Sequence, residues 1–476
     1  MRILSSSIIN SLPPIWDEDL LPDIRNKVIA SGQKIIVLDD DPTGTQTVYD
    51  IPVFTRWDVS DLAQILSEPN PLAYILTNSR SLPRQEAYRL TQEICTNLKS
   101  ANLSYHRPYV IISRSDSTLR GHFPAEVDAI LEQQTNVVDG IILTPFFEEG
   151  KRYTVNDIHY VGEGDDWIPA GETEFARDAV FGYRSSNLRD WVNEKTSGRI
   201  RQQDVISIDL NTIRQKGPKA VRDILTKVQN AQVCIVNAVN YRDMEVFVSG
   251  LLQAENIGKR FIYRTAASFV RVRAGFPRRG LLQPFELKPA NAPRNHSAPS
   301  GLIVAGSYVQ KSSRQIEDLQ KLDRIRSIEV SVKYLIDEKQ RENEIRRVQQ
   351  FISEGLTHSQ DVLVYTSRNL ITEYNNLTSL QIGQIVSSGL VDIVRTLPVK
   401  PSWIIAKGGI TSSDIATKSL GIRRAQVLGQ ILPGVPVWQT GPESKWENII
   451  YVVFPGNVGG EDAISQVVRL IRSAYE

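Results

Sequence analysis

Three adjacent carboxylates, Asp39, Asp40 and Asp41, follow the apolar run Ile35 to Leu38 and lead into Pro42, Thr43, Gly44 and Thr45. Like charges held this close repel one another, and the arrangement makes sense where a cation, a polyol or a proton transfer uses them. A solvated turn rich in Asp and Gly is the plain alternative. A second cluster, Thr77-Asn78-Ser79-Arg80-Ser81, puts one guanidinium among small hydrogen-bonding residues, a setting in which Arg80 can grip a carboxylate through a bidentate fork. A third, Ser113 to His122, alternates cations, an acid and hydroxyls. Arg114 adds a second cation for an acidic ligand, and Asp116 is a candidate base for a ligand hydroxyl. A helix start capped by Asp116 or Ser117 explains the same residues more plainly, and both readings can hold together.

Farther along, Gly150-Lys151-Arg152 offers cations for a phosphate or carboxylate, whereas His159 alone reads as a hydrogen-bonded structural histidine. The aromatic, charged segment Thr173 to Ser186 reads as packing. Later loops are rich in glycine: Gly306-Ser307, Gly408-Gly409-Ile410-Thr411-Ser412, and Pro455-Gly456-Asn457-Val458-Gly459-Gly460. Glycine lets a backbone approach phosphate closely, although each loop alone is also an ordinary tight turn.

These clusters share one position, immediately after a strand-sized apolar run: KIIVLDD, LAYILTNSR, YVIISRSD and GIILTPFF, then GLIVAGS, WIIAKGG and NIIYVVFPGN. Helical patterns such as Gln85 to Leu98 and Pro124 to Gln133 lie between the runs. The alternation predicts two α/β domains with largely parallel sheets, whose ligands bind at the carboxyl ends of strands. Prolines and small polar residues break the rhythm at 286–300. The expected organisation is an N-terminal extension at 1–33, one domain at 34–285, a linker at 286–300 and a second domain at 301–476.

Composition narrows the function classes. With 55 Lys and Arg against 54 Asp and Glu, the net charge of +1 lacks the basic footprint of a nucleic-acid binder. No apolar run is long enough to span a bilayer, the N-terminus lacks a signal-peptide core, and two isolated cysteines in apolar contexts read as core residues. The expected location is the cytoplasm, with no membrane partner. The Walker motif, the GxGxxG turn, the HRD and DFG pair and HExxH are all missing, so any nucleotide site belongs to a less common architecture.

DDDPTGT at Asp39 to Thr45, TNSRSL at Thr77 to Leu82, SDSTLRGHFPAE at Ser115 to Glu126 and the GS, KGGIT and PGNVGG loops together resemble the four-carbon acid sugar kinases, once grouped as a domain of unknown function. The chain departs from that pattern at Asp39, where an apolar or small residue is usual, at Pro42, and at Arg114, where Lys is common. The resemblance implies a sugar-binding N-terminal domain and a nucleotide-binding C-terminal domain. It also implies transfer of the γ-phosphate of ATP, with Mg²⁺, to a hydroxyl of a small acid sugar of the threonate, erythronate or oxo-tetronate type. Carried over by motif, Asp40, Arg80, Arg114, Ser115, Asp116 and Ser117 are the expected substrate contacts, with Asp41 or Asp116 as the base. Ser307, Gly408, Gly409, Ile410, Thr411 and Gly456 are the expected ATP contacts. No residue is assigned to the metal, and self-association stays open. Two other classes are a non-catalytic sensor that keeps both ligand sites, and a metal-dependent sugar-acid phosphatase or lyase that works without nucleotide.

Overall fold

Consecutive apolar positions, as in Lys34–Asp39 (KIIVLD), suit a strand only when both of its faces are covered, and the computed structural model buries every residue of that strand. The structure describes residues 3–134, 136–288, 299–306, 310–367, 379–456 and 458–476. The chain falls into two units, one formed by Met1–Thr47 and Arg56–Arg278, the other by Val48–Thr55 and Arg279–Glu476. Both are α/β with largely parallel sheets, as the alternating runs predict.

In the first unit the parallel strands lie in the order Ile206–Ile208, Gln232–Val236, Gly140–Thr144, Phe261–Thr265, Tyr109–Arg114, Lys34–Asp39 and Leu72–Leu76. Strand Lys34–Asp39 is flanked by Leu72–Leu76 on one side and Tyr109–Arg114 on the other. The strand order therefore reverses around it, and that topological switch point is where open α/β sheets leave a crevice for ligands. Helix Arg84–Asn102 covers one face through Ala87, Thr91, Ile94, Cys95, Leu98 and Ala101, spaced as one stripe of a 3.6-residue period. Helix Tyr241–Asn256 starts on a capping box in which Asn240 and Asp243 satisfy each other's backbone amides. Residues before Lys34 contribute strand Ile3–Leu4 and helix Leu21–Ser31. That short strand joins Asp166–Pro169, Ile158–Glu163 and Arg152–Val155 in a small antiparallel sheet. Trp167 stacks on Tyr153 there at 4.4 Å between ring centroids, which fixes the strand that begins with Arg152. Cys95 and Cys234 are both buried and free.

In the second unit the order is Ile51–Phe54, Arg424–Leu432, Val435–Thr440, Ile450–Phe454, Trp403–Lys407, Gly301–Ala305, Asp361–Thr366 and Ile325–Val330. Pairings among the first four of these are antiparallel and the rest are parallel. Its core gathers Ile303, Trp403, Ile405, Val437, Val452 and Phe454 from the sheet with Ile464, Val467 and Val468 from helix Ala463–Ser473. Segment Val48–Thr55 reaches this unit from within the stretch 34–285 because Ile51–Phe54 pairs with Arg424–Leu432. Within the expected linker 286–300, residues 289–298 lie outside the described residues.

Candidate active site

Strand ends carry charge in the first unit because the apolar runs stop one residue short of the sheet edge. Lys34–Asp39 ends in Asp39, and Tyr109–Arg114 ends in Arg114. The two strands are parallel with Asp39 opposite Arg114, so Arg114 Nη1 donates to Asp39 Oδ1 at 3.0 Å. Both side chains are almost wholly buried. Two of the three positions where the chain departs from the resembled motifs thus lie on one another, and Asp39 gives Arg114 a closer acceptor than Asp40 at 3.8 Å.

Asp40 and Asp41 continue past the edge. Arg80, from the short turn Ser79–Ser81 after Leu72–Leu76, donates through Nη2 to Asp40 Oδ1 at 2.5 Å and through Nε to Asp40 Oδ2 at 3.2 Å. Its Nη1 reaches Asp41 Oδ2 at 3.4 Å and lies 3.9 Å from Asp116 Oδ1. One guanidinium therefore spaces three carboxylates that would otherwise repel. Ser115 Oγ also donates to Asp40 Oδ2. Gly121, at φ 105°, allows this approach: a Cβ there would collide with Ser115 Oγ and sit 3.1 Å from Asp40 Oδ2.

Asp41 Oδ1 accepts the amide of Thr43 at 2.9 Å and its hydroxyl at 2.6 Å. Asp116 Oδ2 accepts from Thr118 Oγ1 and from Arg120 Nε at 2.8 Å. Its other oxygen, Oδ1, has no hydrogen-bond donor among the described residues and faces Arg80. Accessibility separates the cluster into two levels. Arg80, Asp41, Asp116 and Arg120 keep 18%, 18%, 13% and 23% of their side chains exposed, whereas Asp39, Asp40 and Arg114 fall to 5% or less. The first set can touch a ligand; the second holds it in place.

Protonation follows the same division. Burial drives Asp39 up to about 7, against the pull of Arg114 and with the repulsion of Asp40 and Asp41. Burial also opposes ionisation of Asp41 and Asp116. There it is outweighed, by Arg80 and the two Thr43 hydrogen bonds for Asp41 and by Arg120 and Arg80 for Asp116, so both carboxyls lie below their ordinary range. Glu126, buried on helix Ala125–Glu132, is pushed up by desolvation and by Asp40. Its Oε1 accepts from Ser79 Oγ at 2.5 Å while its Oε2 has no hydrogen-bond partner among the described residues.

Among the expected substrate contacts, Asp40, Arg80, Arg114, Ser115 and Asp116 therefore come together, with Arg114 and Ser115 buried beneath the accessible set. Ser117 meets the rest of the chain through its carbonyl, which accepts from His159 Nε2 at 2.7 Å. Thr154 Oγ1 occupies Nδ1 of His159 at 3.0 Å, and burial lowers the imidazole to about 4. His159 is a neutral structural group, as its isolation in the sequence suggests.

The segment Thr173 to Ser186 does more than pack. Tyr183 donates to the Thr118 carbonyl at 2.8 Å, and the guanidinium carbons of Arg120 and Arg152 stand 5.0 and 5.5 Å from the centre of the Phe175 ring. Arg264, buried near the end of Phe261–Thr265, donates to the Arg120 carbonyl at 2.9 Å. Arg120, Arg264, Phe175 and Glu126 are not among the site residues read from the sequence, whereas Arg152 belongs to the Gly150-Lys151-Arg152 run read there as cations for a phosphate or carboxylate. Arg264 had a usable signal, since FIYRT ends an apolar run in a cation, as Tyr109–Arg114 does.

In the second unit the glycine loops follow Gly301–Ala305, Trp403–Lys407 and Ile450–Phe454, three adjacent parallel strands, so their ends lie side by side. A Cβ on Gly306 would sit 2.6 Å from Thr411 Oγ1 and 3.0 Å from Leu390, a contact that draws the first two loops together. Lys407 Nζ donates to the carbonyls of Pro455 and Gly456 at 3.2 and 3.3 Å, joining the second loop to the third. Gly408 precedes helix Gly409–Asp414, on which Ile410 is exposed and Thr411 faces Gly306. Ser307 lies outside the described residues.

Among the described residues no group of three or more His, Cys, Asp and Glu is arranged to hold a metal ion, and no helix is long and apolar enough to cross a membrane.

Comparison with known proteins adds to this geometry. Residues 35–273 match a family described as the sugar-binding N-terminal domain, and residues 302–464 one described as the nucleotide-binding C-terminal domain. A curated relative, the D-erythronate kinase of Heliobacterium modesticaldum, is 24% identical over 442 residues, covering 90% of each chain. Two solved structures share the fold. One, described as a putative tRNA synthase from Salmonella typhimurium LT2, has a TM-score of 0.68 at 17% identity and covers 92% of this chain and 99% of its own. A Haemophilus influenzae protein of the DUF1537 group has a TM-score of 0.63 at 18% identity, over 92% of this chain and 100% of its own. With both of its units matched, the chain belongs to the four-carbon acid sugar kinase family.

Proposed function

We propose that the protein is an ATP-dependent kinase acting on a hydroxyl of a four-carbon acid sugar of the threonate, erythronate or oxo-tetronate type. The observation that carries this reading is the accessible set Arg80, Asp41 and Asp116 at the switch point of the unit that matches a sugar-binding domain. The glycine loops of the second unit, which matches a nucleotide-binding domain, supply backbone amides to ATP.

Asp116 Oδ1 accepts the proton of the acceptor hydroxyl, because its other oxygen is already committed to Thr118 and Arg120. Asp41 is the alternative base, less open because Thr43 takes one of its oxygens twice. The freed oxygen bonds to the γ-phosphorus, the bond from that phosphorus to the β,γ-bridging oxygen breaks, and ADP leaves. A strong base is unnecessary, since phosphoryl transfer depends chiefly on positioning and charge neutralisation. Among the described residues no cluster forms a dedicated cage for Mg²⁺, and an ion carried by nucleotide phosphates needs only one or two protein carboxylates. Bound there, Mg²⁺ neutralises charge on the phosphates.

The test is ADP release against a panel of four-carbon acids, with ATP-free controls. Acid-dependent ADP formation is the expected result. Turnover of the acid without ATP would put a phosphatase or lyase in its place, and stabilisation by ATP and acid without turnover would indicate a sensor.

A further inference from the structure

Each guanidinium at the switch-point edge can be followed to its partner. Arg114 is held by Asp39, Arg80 by Asp40 and Asp41, and Arg120 by Asp116, with Asp178 at 3.7 Å. Arg264 is sealed in the interior and donates to a carbonyl. Arg152 differs from the others. Its Nη1 donates to the carbonyls of Gly150 and Lys151 in its own turn, its Nε is buried without a hydrogen-bond partner as are those of Arg114 and Arg264, and, unlike Arg80, Arg114 and Arg120, it has no carboxylate of the described residues within ion-pair distance. It shares the Phe175 ring with Arg120, a second cation. Burial lowers its proton affinity, the more distant Asp116 offsets part of that, Arg120 adds to the lowering, and Tyr183 and Glu163 raise it more weakly.

A half-buried guanidinium with no carboxylate in direct contact is costly, and stacking on an aromatic face returns only part of the lost hydration. The arrangement is stable without strain when a ligand brings the anion. We propose that Arg152, steadied with Arg120 on Phe175, is the subsite for the carboxylate of the acid acceptor, rather than Arg80 or Arg114, whose guanidiniums are already engaged by Asp39, Asp40 and Asp41. This inference rests on the sugar-acid reading and deepens it. It places the ligand's carboxylate on the Arg152 side of Asp116, so that a hydroxyl farther along the same short molecule can reach Asp116 Oδ1. Arg80 then has a different task, to space Asp40, Asp41 and Asp116.

The experiment pairs each acid with the alcohol that lacks only its charge: erythronate and threonate against erythritol and threitol. Binding to the full-length protein is measured by calorimetry without nucleotide, and KM for acid and for ATP is measured in the coupled assay. Wild type is expected to bind an acid and not its alcohol. Arg152→Ala should weaken acid binding and raise the acid KM roughly 10- to 100-fold, the range for losing a charge-assisted contact, with the ATP KM unchanged. Arg152→Lys keeps the charge without the planar fork and should recover part of the loss. It also serves as the variant of record if the alanine protein fails to fold. Unchanged acid affinity in either folded variant, with wild type turning over, overturns the subsite and leaves the kinase reading intact. A rise in the ATP KM alone also overturns it, because the anion would then be phosphate. Acid binding that depends on Arg152 without any ATP-dependent turnover supports the subsite and overturns the kinase reading. Equal binding of acid and alcohol by wild type overturns the subsite.

Discussion

The two units finish their parallel strands in different ways. In the first, Asp39 and Arg114 close adjacent strands and Arg80 follows a third, so side-chain charge makes the site. In the second, Gly306, Gly408 and the Pro455-Gly456 turn follow the strands, leaving backbone amides and the hydroxyl of Thr411, while the Ser412 hydroxyl is buried on the Ala406 carbonyl. Side-chain charge suits recognition of a small acid by position, because each guanidinium can be aimed. Backbone suits a polyphosphate, which asks for many donors and close approach. If that contrast is correct, substitutions in the two units should affect different kinetic constants.

The largest effect is expected at Asp116. Asp116→Asn should lower kcat roughly 100- to 10,000-fold, the usual contribution of a positioned proton acceptor, with little change in the ATP KM. A near-normal kcat would move the base to Asp41. Arg80→Ala comes next. It leaves Asp40, 2% exposed, without its main counter-charge, and a loss of about 3–5 kcal/mol in chemical denaturation is expected from breaking a buried pair. If the variant folds, the acid kinetics should worsen through misplacement of Asp41 and Asp116, and wild-type kinetics would refute that spacing role.

A smaller effect on the other side sharpens the comparison. Gly306→Val drives a side chain into Thr411 and Leu390 and should part the first two glycine loops. The ATP KM should then rise by about tenfold, equivalent to ~1.4 kcal/mol, with the acid KM unchanged. An equal rise in both constants would mean that the two units do not divide the ligands.

The most modest prediction concerns pH. Asp39 holds its proton up to about 7 in the folded chain and releases it near 3.8 when unfolded. Between those values the folded state binds more protons, so this group makes stability fall as pH rises from about 4 to about 7, by at most ~1.4 kcal/mol per pH unit. Asp41 and Asp116 act in the opposite sense: their contribution is present above the unfolded carboxylate range and is lost as pH falls below it. Glu126, also raised to about 7, adds to the same decline, so Asp39→Asn should lessen the decline between pH 4 and 7 and retain the loss at lower pH. A wild-type slope in the variant would show that Asp39 is ionised throughout.

Much of this was legible in the chain. Strand runs such as KIIVLD and WIIAK are too continuously apolar for anything but two-sided burial, and helix Arg84–Asn102 shows its stripe directly. The rule that chemistry follows strands led to Asp40, Asp41, Arg80 and Asp116. It did not separate a ligand-facing arginine from a structural one, because Arg80, Arg114 and Arg152 carry the same charge and differ only in what their neighbours neutralise. Nor did it bring in Phe175, some sixty residues past Asp116, or Glu126, whose unpartnered oxygen is a property of burial.

The sequence by itself determined the class of each element and the residue types at each strand end, because periodicity and strand termination are local properties of the chain. Only the tertiary structure decided which charges cancel. Ion pairing requires approach within a few ångströms, and strand order brought Asp39 to Arg114 across seventy-five positions while leaving Arg152 beside Phe175 with, among the described residues, only carbonyls as hydrogen-bond partners.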